Sequence, residues 1–253
     1  MEILGIDIGA SGIKGAVVDV EQGVLTSKRY RLPTPQPSVP KDVGDVVGQV
    51  TRHFGWQGPI GCTFPAIIRD GVAYNAANVD ESWVGTNGQK LFQRKTGCPV
   101  LLLNDADAAG IAEMEFGAGR GHDGVVFVLT LGTGIGSAIF VNRQLLPNAE
   151  LGHLEIRGKD AEWRASTYAR DRKKLSYEEW AKALNEFLER LEFLFSPDLF
   201  ILGGGISRKH DKFLHLLHTS RAQVLPAQFF NQAGIVGAAM AARALVLEMS
   251  GNG

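Results

Sequence analysis

The sequence predicts an α/β protein of two related lobes, with a ligand site in the cleft between them. Short apolar strands alternate with helical segments along 253 residues, which is enough chain for two modest cores. A strand followed by a glycine hairpin opens each half, in "GIDIGASGIKGAVV" and again in "LTLGTGIGSAIFV". We expect a small first lobe of residues 1–104 and 234–253 and a larger second lobe of residues 105–233.

Composition narrows the class of protein. Lys and Arg number 26 against 27 Asp and Glu, so a net charge of −1 gives no sign of a nucleic-acid partner. Two cysteines, Cys62 and Cys98, cannot form a disulfide framework or a four-cysteine zinc site. The start "MEILGIDIG" has no basic and apolar leader, and no apolar run reaches the ~18 residues of a membrane span. We expect a cytoplasmic protein with no membrane partner.

The first half alternates strands and helices. Apolar runs of strand length cover residues 1–8, 14–20, 24–31, 60–67 and 98–105. The first three form a meander. Helical spacing covers residues 41–54, 88–97 and 106–117. Two glycines weaken the first of these helices, a proline-rich connection at 32–41 precedes it, and Gly97 ends the second.

The second half begins with two apolar strands joined by a glycine turn within residues 124–141. A long amphipathic helix over 176–195 follows, with a capping box of Ser176 and Glu179. Its predicted apolar face consists of Tyr177, Trp180, Ala181, Leu184, Phe187, Leu188, Leu191, Leu194 and Phe195. A strand entering a glycine turn and helix is expected in "LFILGGGIS", a late strand in "AQVLPAQ" and a closing helix over about 233–249.

Three glycine turns directly follow apolar strands and predict phosphate binding. Glycines allow backbone amides to surround an oxyanion, and a helix start also favours anions. The predicted donor-binding residues are Asp7, Gly9, Ser11, Gly12 and Lys14 in the first turn, Gly132, Thr133 and Gly134 in the second, and Gly203, Gly204 and Gly205 in the third. Asp7 could hold Mg²⁺ directly or through water. Any single turn could instead be a plain structural hairpin.

Two further segments carry candidate chemistry. Asp105 lies where a strand becomes a helix, so it is either a helix cap, with Asp107 as a rival, or a general base for an accepting hydroxyl. In "NAELGHLE", Glu150, His153 and Glu155 could form a metal site, an ordinary loop or a cup for sugar hydroxyls. A cup for a neutral polyol fits two carboxylates and a histidine best.

Six segments in chain order resemble the ROK family of sugar kinases and repressors, within the actin-like ATPase superfamily. They are "GIDIGASGIKGAVVD", "AANVDESW", "PVLLLNDADAAGIAEMEFGAG", "VLTLGTGIGSAIFVN", "NAELGHLEI" and "LFILGGGIS". The resemblance implies the two-lobed actin-like, or ribonuclease H-like, fold. It also implies that Asn104 binds sugar, that Asp105 is the base, and that Glu150 and His153 are sugar ligands.

The same resemblance implies two further sugar ligands and the absence of the zinc site that most members have. Asn78 matches an asparagine of the family, and "AEWRAS" makes Glu162 the third carboxylate, whereas Glu155 matches no family position. Most members carry a cysteine-rich zinc motif after the histidine. No cysteine follows Cys98 here, so we expect no zinc.

The short, zinc-free form resembles the branch of the family that phosphorylates the 6-hydroxyl of glucose with inorganic polyphosphate, and in some members with ATP. This implies Mg²⁺, a homodimer and a basic track for the polyanion. The candidates for the track are Arg29, Arg31, Arg120, Arg143, Arg157, Lys159, Lys173, Lys174, Arg208 and Lys209. The alternatives are an ATP-dependent kinase of glucose, mannose or fructose, and, in another class, a non-catalytic sugar sensor or repressor.

Overall fold

The computed structural model describes residues 1–77 and 79–251. Its strands are β1 (Glu2–Gly9), β2 (Gly12–Asp19), β3 (Val24–Leu25), β4 (Tyr30–Leu32), β5 (Ile60–Phe64), β6 (Ile68–Arg69), β7 (Val72–Ala73), β8 (Val100–Asn104), β9 (Val125–Leu131), β10 (Ile135–Val141), β11 (Gln144–Leu146), β12 (Glu155–Ile156), β13 (Lys159–Asp160), β14 (Leu199–Gly203) and β15 (Gln223–Pro226). Its α-helices are α1 (Pro40–His53), α2 (Gly88–Thr96), α3 (Asp105–Phe116), α4 (Glu162–Ala165), α5 (Thr167–Lys173), α6 (Tyr177–Phe195), α7 (Ala233–Ala241) and α8 (Arg243–Gly251).

Two compact units divide the chain. The first contains Met1–Ala112 and Gln232–Gly253, and the second contains Glu113–Asn231. The first boundary therefore falls inside α3, after the expected 104, because the beginning of that helix packs against α7: a Cβ on Gly237 would overlap the carbonyl group of Ala108. The first unit is consequently the longer of the two.

The sheet of the first unit has the strand order β3-β2-β1-β5-β8, with β4 also paired to β2. Strands β1 and β2 are antiparallel, whereas β1, β5 and β8 are parallel. All five residues of β5 are buried, as expected for a central parallel strand. The predicted third strand of the meander is interrupted, because the Ser27 hydroxyl accepts the Val17 N–H (2.9 Å) and the edge is divided into β3 and β4.

Helix α7 lies close against this sheet because glycines face it. Gly5 and Gly61 are register partners on β1 and β5, and a Cβ on either would overlap the backbone of α7. The stretch Phe230–Leu247 is apolar and long enough to cross a membrane by length and composition alone. Here Ala242 separates α7 from α8, so the predicted single closing helix is two, and α7 is a buried core helix of this unit.

The two glycines expected to weaken α1 have a packing role. Gly44 and Gly48 lie four residues apart and face Leu91 and Lys95 of α2. Their small size lets the two helices approach closely. Gly97 ends α2 with a left-handed backbone (φ 73°), as predicted.

The second unit repeats the strand order of the first. Its sheet runs β11-β10-β9-β14-β15, with antiparallel pairs at β9, β10 and β11 and parallel pairs from β9 through β14 to β15. The sequence predicted a repeated glycine hairpin, and the structure repeats the strand order of the whole sheet. Helix α6 begins with the predicted capping box of Ser176 and Glu179. Its predicted apolar face is too long, because Leu194 and Phe195 are 45% and 43% exposed.

Candidate active site

Asp105 is the first residue of α3, and Asn104 caps that helix. The Asn104 Oδ1 accepts the N–H groups of Ala106 (2.8 Å) and Asp107 (3.1 Å), and its Nδ2 donates to the Ala66 carbonyl (3.1 Å). The interpretation of Asp105 as the N-cap is therefore wrong, because the preceding asparagine satisfies the free amides. The Asp105 Oδ1 accepts the Ala106 N–H (2.9 Å), which fixes the carboxylate at the start of the helix.

Asp7 lies at the end of β1 between a hydroxyl and an ammonium group. Thr63 Oγ1 donates to Asp7 Oδ1 (3.0 Å), and Lys14 Nζ lies 3.2 Å from Asp7 Oδ2. A Cβ on Gly234, in α7, would come within 3.0 Å of Asp7 Oδ1, so the absence of a side chain there lets the helix backbone approach the carboxylate closely. Asp7 and Lys14 thus form one charged pair next to the first glycine turn.

The first glycine turn is covered by Arg31. The Arg31 guanidinium donates to the Ser11 carbonyl (2.7 Å), and a Cβ on Gly12 would lie against it. Thr34 Oγ1 donates to the Gly9 carbonyl (2.5 Å). Arg31 and Lys14 are register neighbours on β4 and β2, so two cations flank this turn.

The second glycine turn, a predicted donor site, contacts Glu162, a predicted sugar ligand. Glu162 Oε2 accepts the Ile135 N–H (3.0 Å), and a Cβ on Gly134 would overlap this carboxylate. The Tyr168 N–H donates to the Gly132 carbonyl (3.0 Å), which fixes the beginning of α5 at the turn. Thr133 is exposed at the tip.

The third glycine turn packs on the end of β9. Gly204 has φ 83°, and a Cβ there would overlap the backbone of Leu131. Gly203 ends β14, while Gly205 begins a 3-10 helix, Gly205–Lys212, with non-helical angles at Lys209. The prediction of a regular helix at this position is therefore wrong.

Three predicted sugar ligands come together in the second unit. Burial raises the pKa of Glu150, while the nearby His153 opposes this shift and the Glu162 carboxylate adds to it. A partly desolvated carboxylate surrounded by a histidine and a second carboxylate is suited to accepting hydrogen bonds from a neutral polyol. Asn78 lies outside the described residues, and Glu155 is exposed in β12.

Asp160 joins this cluster in the structure, although the sequence did not single it out. Its Oδ2 lies 2.9 Å from His153 Nδ1, and one ligand-type atom from each of His153, Asp160 and Glu162 lies within 4.8 Å of the others. An ionised carboxylate only accepts hydrogen bonds, so His153 Nδ1 carries the proton and donates. The β12–β13 hairpin turns through Arg157 and Gly158, both with positive φ, and brings Asp160 back to the histidine.

Asp160→Asn is expected to lower the pKa of His153. The Asp160 hydrogen bond is the main cause that raises this pKa above its ordinary 6.5. Because the folded-state value is raised, the stabilisation is complete below about pH 6.5 and is lost as pH rises through the folded-state pKa. The wild-type advantage in the free energy of unfolding should therefore be largest below pH 6.5 and vanish at higher pH.

NMR titration of the His153 ring and denaturation at several pH values measure both effects. Glu155→Gln is the matched control, since Glu155 faces Asp160 across the hairpin. An unchanged His153 titration in Asp160→Asn would contradict the assignment.

Two sheets of one strand order, each opened by a glycine hairpin, together with an acid that begins the helix after a parallel strand, define the actin-like ATPase fold. The model of the ROK family matches residues 3–170, and the chain belongs to this family.

Relatives extend over nearly the whole chain. The polyphosphate glucokinase of Mycobacterium tuberculosis (strain CDC 1551 / Oshkosh) is 50% identical over 238 residues, which cover 94% of this chain and 89% of that protein. The crystal structure of inorganic polyphosphate/ATP-glucomannokinase from Arthrobacter sp. strain KM has 48% identity and a TM-score of 0.92, covering 96% of this chain and 99% of that one. A ROK family glucokinase from Streptomyces griseus, in complex with glucose and AMPPNP, has 27% identity and a TM-score of 0.83, covering 96% and 100%.

Proposed function

We propose that this chain transfers the terminal phosphoryl group of inorganic polyphosphate, and also of ATP, to the 6-hydroxyl of glucose. The observation that carries the proposal is identity near one half, over more than nine tenths of the chain, with a polyphosphate glucokinase and a polyphosphate/ATP-glucomannokinase. The product is glucose 6-phosphate. A homodimer and a cytoplasmic location, both expected from the sequence, are part of this proposal.

We assign the acceptor chemistry to the predicted base and the predicted sugar ligands. Asp105 takes the proton from the 6-hydroxyl as that oxygen attacks phosphorus, and Asn104 holds Asp105 at the start of α3 by capping the helix. Glu150, His153 and Glu162 accept or donate hydrogen bonds to the sugar hydroxyls. A sugar that lacks one of these hydroxyls would leave a buried polar group unpaired, which gives specificity. Asn78 is retained as a further sugar ligand.

Donor phosphates are assigned to the three glycine turns. The backbone amides at Gly9–Gly12, Gly132–Gly134 and Gly203–Gly205, the Ser11 and Thr133 hydroxyls and the Lys14 ammonium group stabilise the charge on the transferred group. Lys14 is already aligned by its ion pair with Asp7 (3.2 Å). Arg31 joins this set because its guanidinium covers the first turn.

We propose that Asp7 holds a divalent cation, Mg²⁺, through water. Both Asp7 oxygens already have partners, Thr63 and Lys14. This arrangement suits a carboxylate that holds a hydrated cation through water. Such a cation would offset the negative charge of the donor phosphates. Asp7, Thr63 and Lys14 set the orientation of the carboxylate that receives it.

The test is glucose 6-phosphate formation by the purified protein with Mg²⁺, comparing long-chain polyphosphate with ATP at matched phosphoryl concentration. We expect a higher kcat/KM with polyphosphate and loss of activity with a chelator. Mannose is the second acceptor to assay, because the Arthrobacter relative is a glucomannokinase. Activity with ATP alone would make the chain an ATP-dependent sugar kinase, and sugar binding without transfer from either donor would make it a sensor.

A further inference from the structure

An exposed patch of stacked cations and aromatic rings lies on the second unit. We name it the aromatic-basic patch and define it as Lys159, Trp163, Tyr168 and Arg172. The Arg172 guanidinium lies 5.2 Å from the centre of the Trp163 ring and 5.6 Å from that of Tyr168, and Lys159 Nζ lies 5.9 Å from the Trp163 ring. Trp163 and Tyr168 are 51% and 54% exposed, so the patch is open to solvent. A ring holds a cation by its quadrupole without neutralising it.

Three neighbouring arginines of the same unit form ion pairs with carboxylates. Arg157 and Arg164 both bind the Glu186 carboxylate, and Arg170 binds Asp171 (2.8 Å). Within residues 1–77 and 79–251, no ion pair includes Lys159 or Arg172.

The acidic side chains of this stretch are also engaged elsewhere. Asp160 binds His153, Glu162 accepts the Ile135 N–H, and Asp171 is held by Arg170. The positive charge of the patch is therefore available to an external anion. Two exposed lysines at the end of α5, Lys173 and Lys174, extend it.

The patch is attached to the second glycine turn. Thr167 Oγ1 donates to the Leu131 carbonyl (3.2 Å) and the Tyr168 N–H to the Gly132 carbonyl (3.0 Å), so α5 leaves directly from this turn. At the other end of the turn, the Ile135 N–H donates to the carboxylate of Glu162, the residue that precedes Trp163. Arg172 lies about 6 Å beyond Tyr168 along the helix axis, at 1.5 Å per residue. A polyanion held at the turn thus meets unpaired cations one helical turn away.

We propose that the aromatic-basic patch binds the inner phosphates of the polyphosphate donor, behind the group that is transferred. The inference rests on the proposed function and names which cations of this chain contact the polymer. A linear polyphosphate matches a row of unpaired cations, because each of its units carries negative charge. Single-stranded nucleic acid fits less well, because it needs free ring faces for base stacking, and here Arg172 and Lys159 lie over the rings. ATP has too few phosphates to reach along α5.

The test removes charge from the patch and varies the length of the donor. The variant Arg172→Gln/Lys173→Gln is expected to raise KM for long-chain polyphosphate about tenfold, as loss of phosphate contacts predicts, with kcat unchanged. KM for tripolyphosphate and ATP should stay within about twofold, and the salt dependence of long-chain binding should weaken. Lys90→Gln/Lys182→Gln, at two exposed lysines of α2 and α6, is the matched control for the loss of two charges.

Direct binding of long-chain polyphosphate, measured without glucose, separates failure of this inference from failure of the proposed function. If the wild type forms no glucose 6-phosphate from polyphosphate, the proposed function fails, and the binding assay still tests the patch. An unchanged KM and an unchanged binding constant in Arg172→Gln/Lys173→Gln would overturn the inference. An equal rise in KM for tripolyphosphate would also overturn it, by assigning these residues to the terminal phosphates. A larger loss of single-stranded RNA binding would assign the patch to nucleic acid instead.

Discussion

Asp105→Asn is expected to lower kcat for glucose phosphorylation by about 100- to 10,000-fold, the range that a positioned general base contributes. The asparagine has the same shape and can still accept the Ala106 N–H, while Asn104 continues to cap α3. Neither the fold nor the sugar contacts of the site should change, because only proton acceptance is lost. Steady-state kinetics should show a large fall in kcat. Calorimetric titration with glucose should show an unchanged Kd.

Asp42→Asn is the matched control, since Asp42 is an exposed acid in the first turn of another helix, α1. It should leave both kcat and Kd unaltered. Near-normal turnover in Asp105→Asn would remove Asp105 as the base. A parallel loss of glucose binding and thermal stability would instead assign it a structural role.

Local chemistry explains why much of the fold could be predicted. Apolar strands followed by glycine turns mark β1–β2 and β9–β10, and the capping box of Ser176 and Glu179 marks the beginning of α6. The division of the third strand and the end of the buried face of α6 could not be predicted, because they depend on contacts with other segments of the chain. Ser27 divides the third strand by bonding to Val17, and the end of α6 leaves Leu194 exposed although its spacing matches the buried face.

The candidate site shows the same division between local and distant information. Asn104 and Asp105 are both good capping residues, so sequence alone could not decide which of them caps α3 and which is left for chemistry. Asp160 was missed because it lies seven positions after His153, beyond the two-residue turn of the hairpin. A pair of positive-φ residues, Arg157 and Gly158, is the signal of that turn, and "RG" between short polar strands is a weak one.

Gly61→Ala is expected to destabilise the first unit by about 3 kcal/mol or more, above the usual cost of overpacking. The new Cβ would overlap the carbonyl group of Ala238 and the amide nitrogen of Ala239, both in the backbone of α7. Backbone atoms cannot rotate away as a side chain can, so the helix itself must move off the sheet. A loss of this size corresponds to a fall in Tm of roughly 6–12 °C. Thermal and urea unfolding of the purified variant measure it.

Gly15→Ala separates backbone overlap from ordinary crowding. Gly15 lies in β2 of the same sheet, but its nearest obstacle is a side-chain atom, Val50 Cγ1, rather than backbone, so we expect a smaller cost of about 1–2 kcal/mol. Equal losses of stability in Gly61→Ala and Gly15→Ala would mean that displacing helix α7 costs no more free energy than displacing a side chain. Because α7 also carries Gly234 beside Asp7, the folded fraction of Gly61→Ala should in addition have a reduced kcat, whereas Gly15→Ala should retain the wild-type value. The close approach of α7 to the sheet thereby links the packing of the first unit to the carboxylate that we assign to the divalent cation.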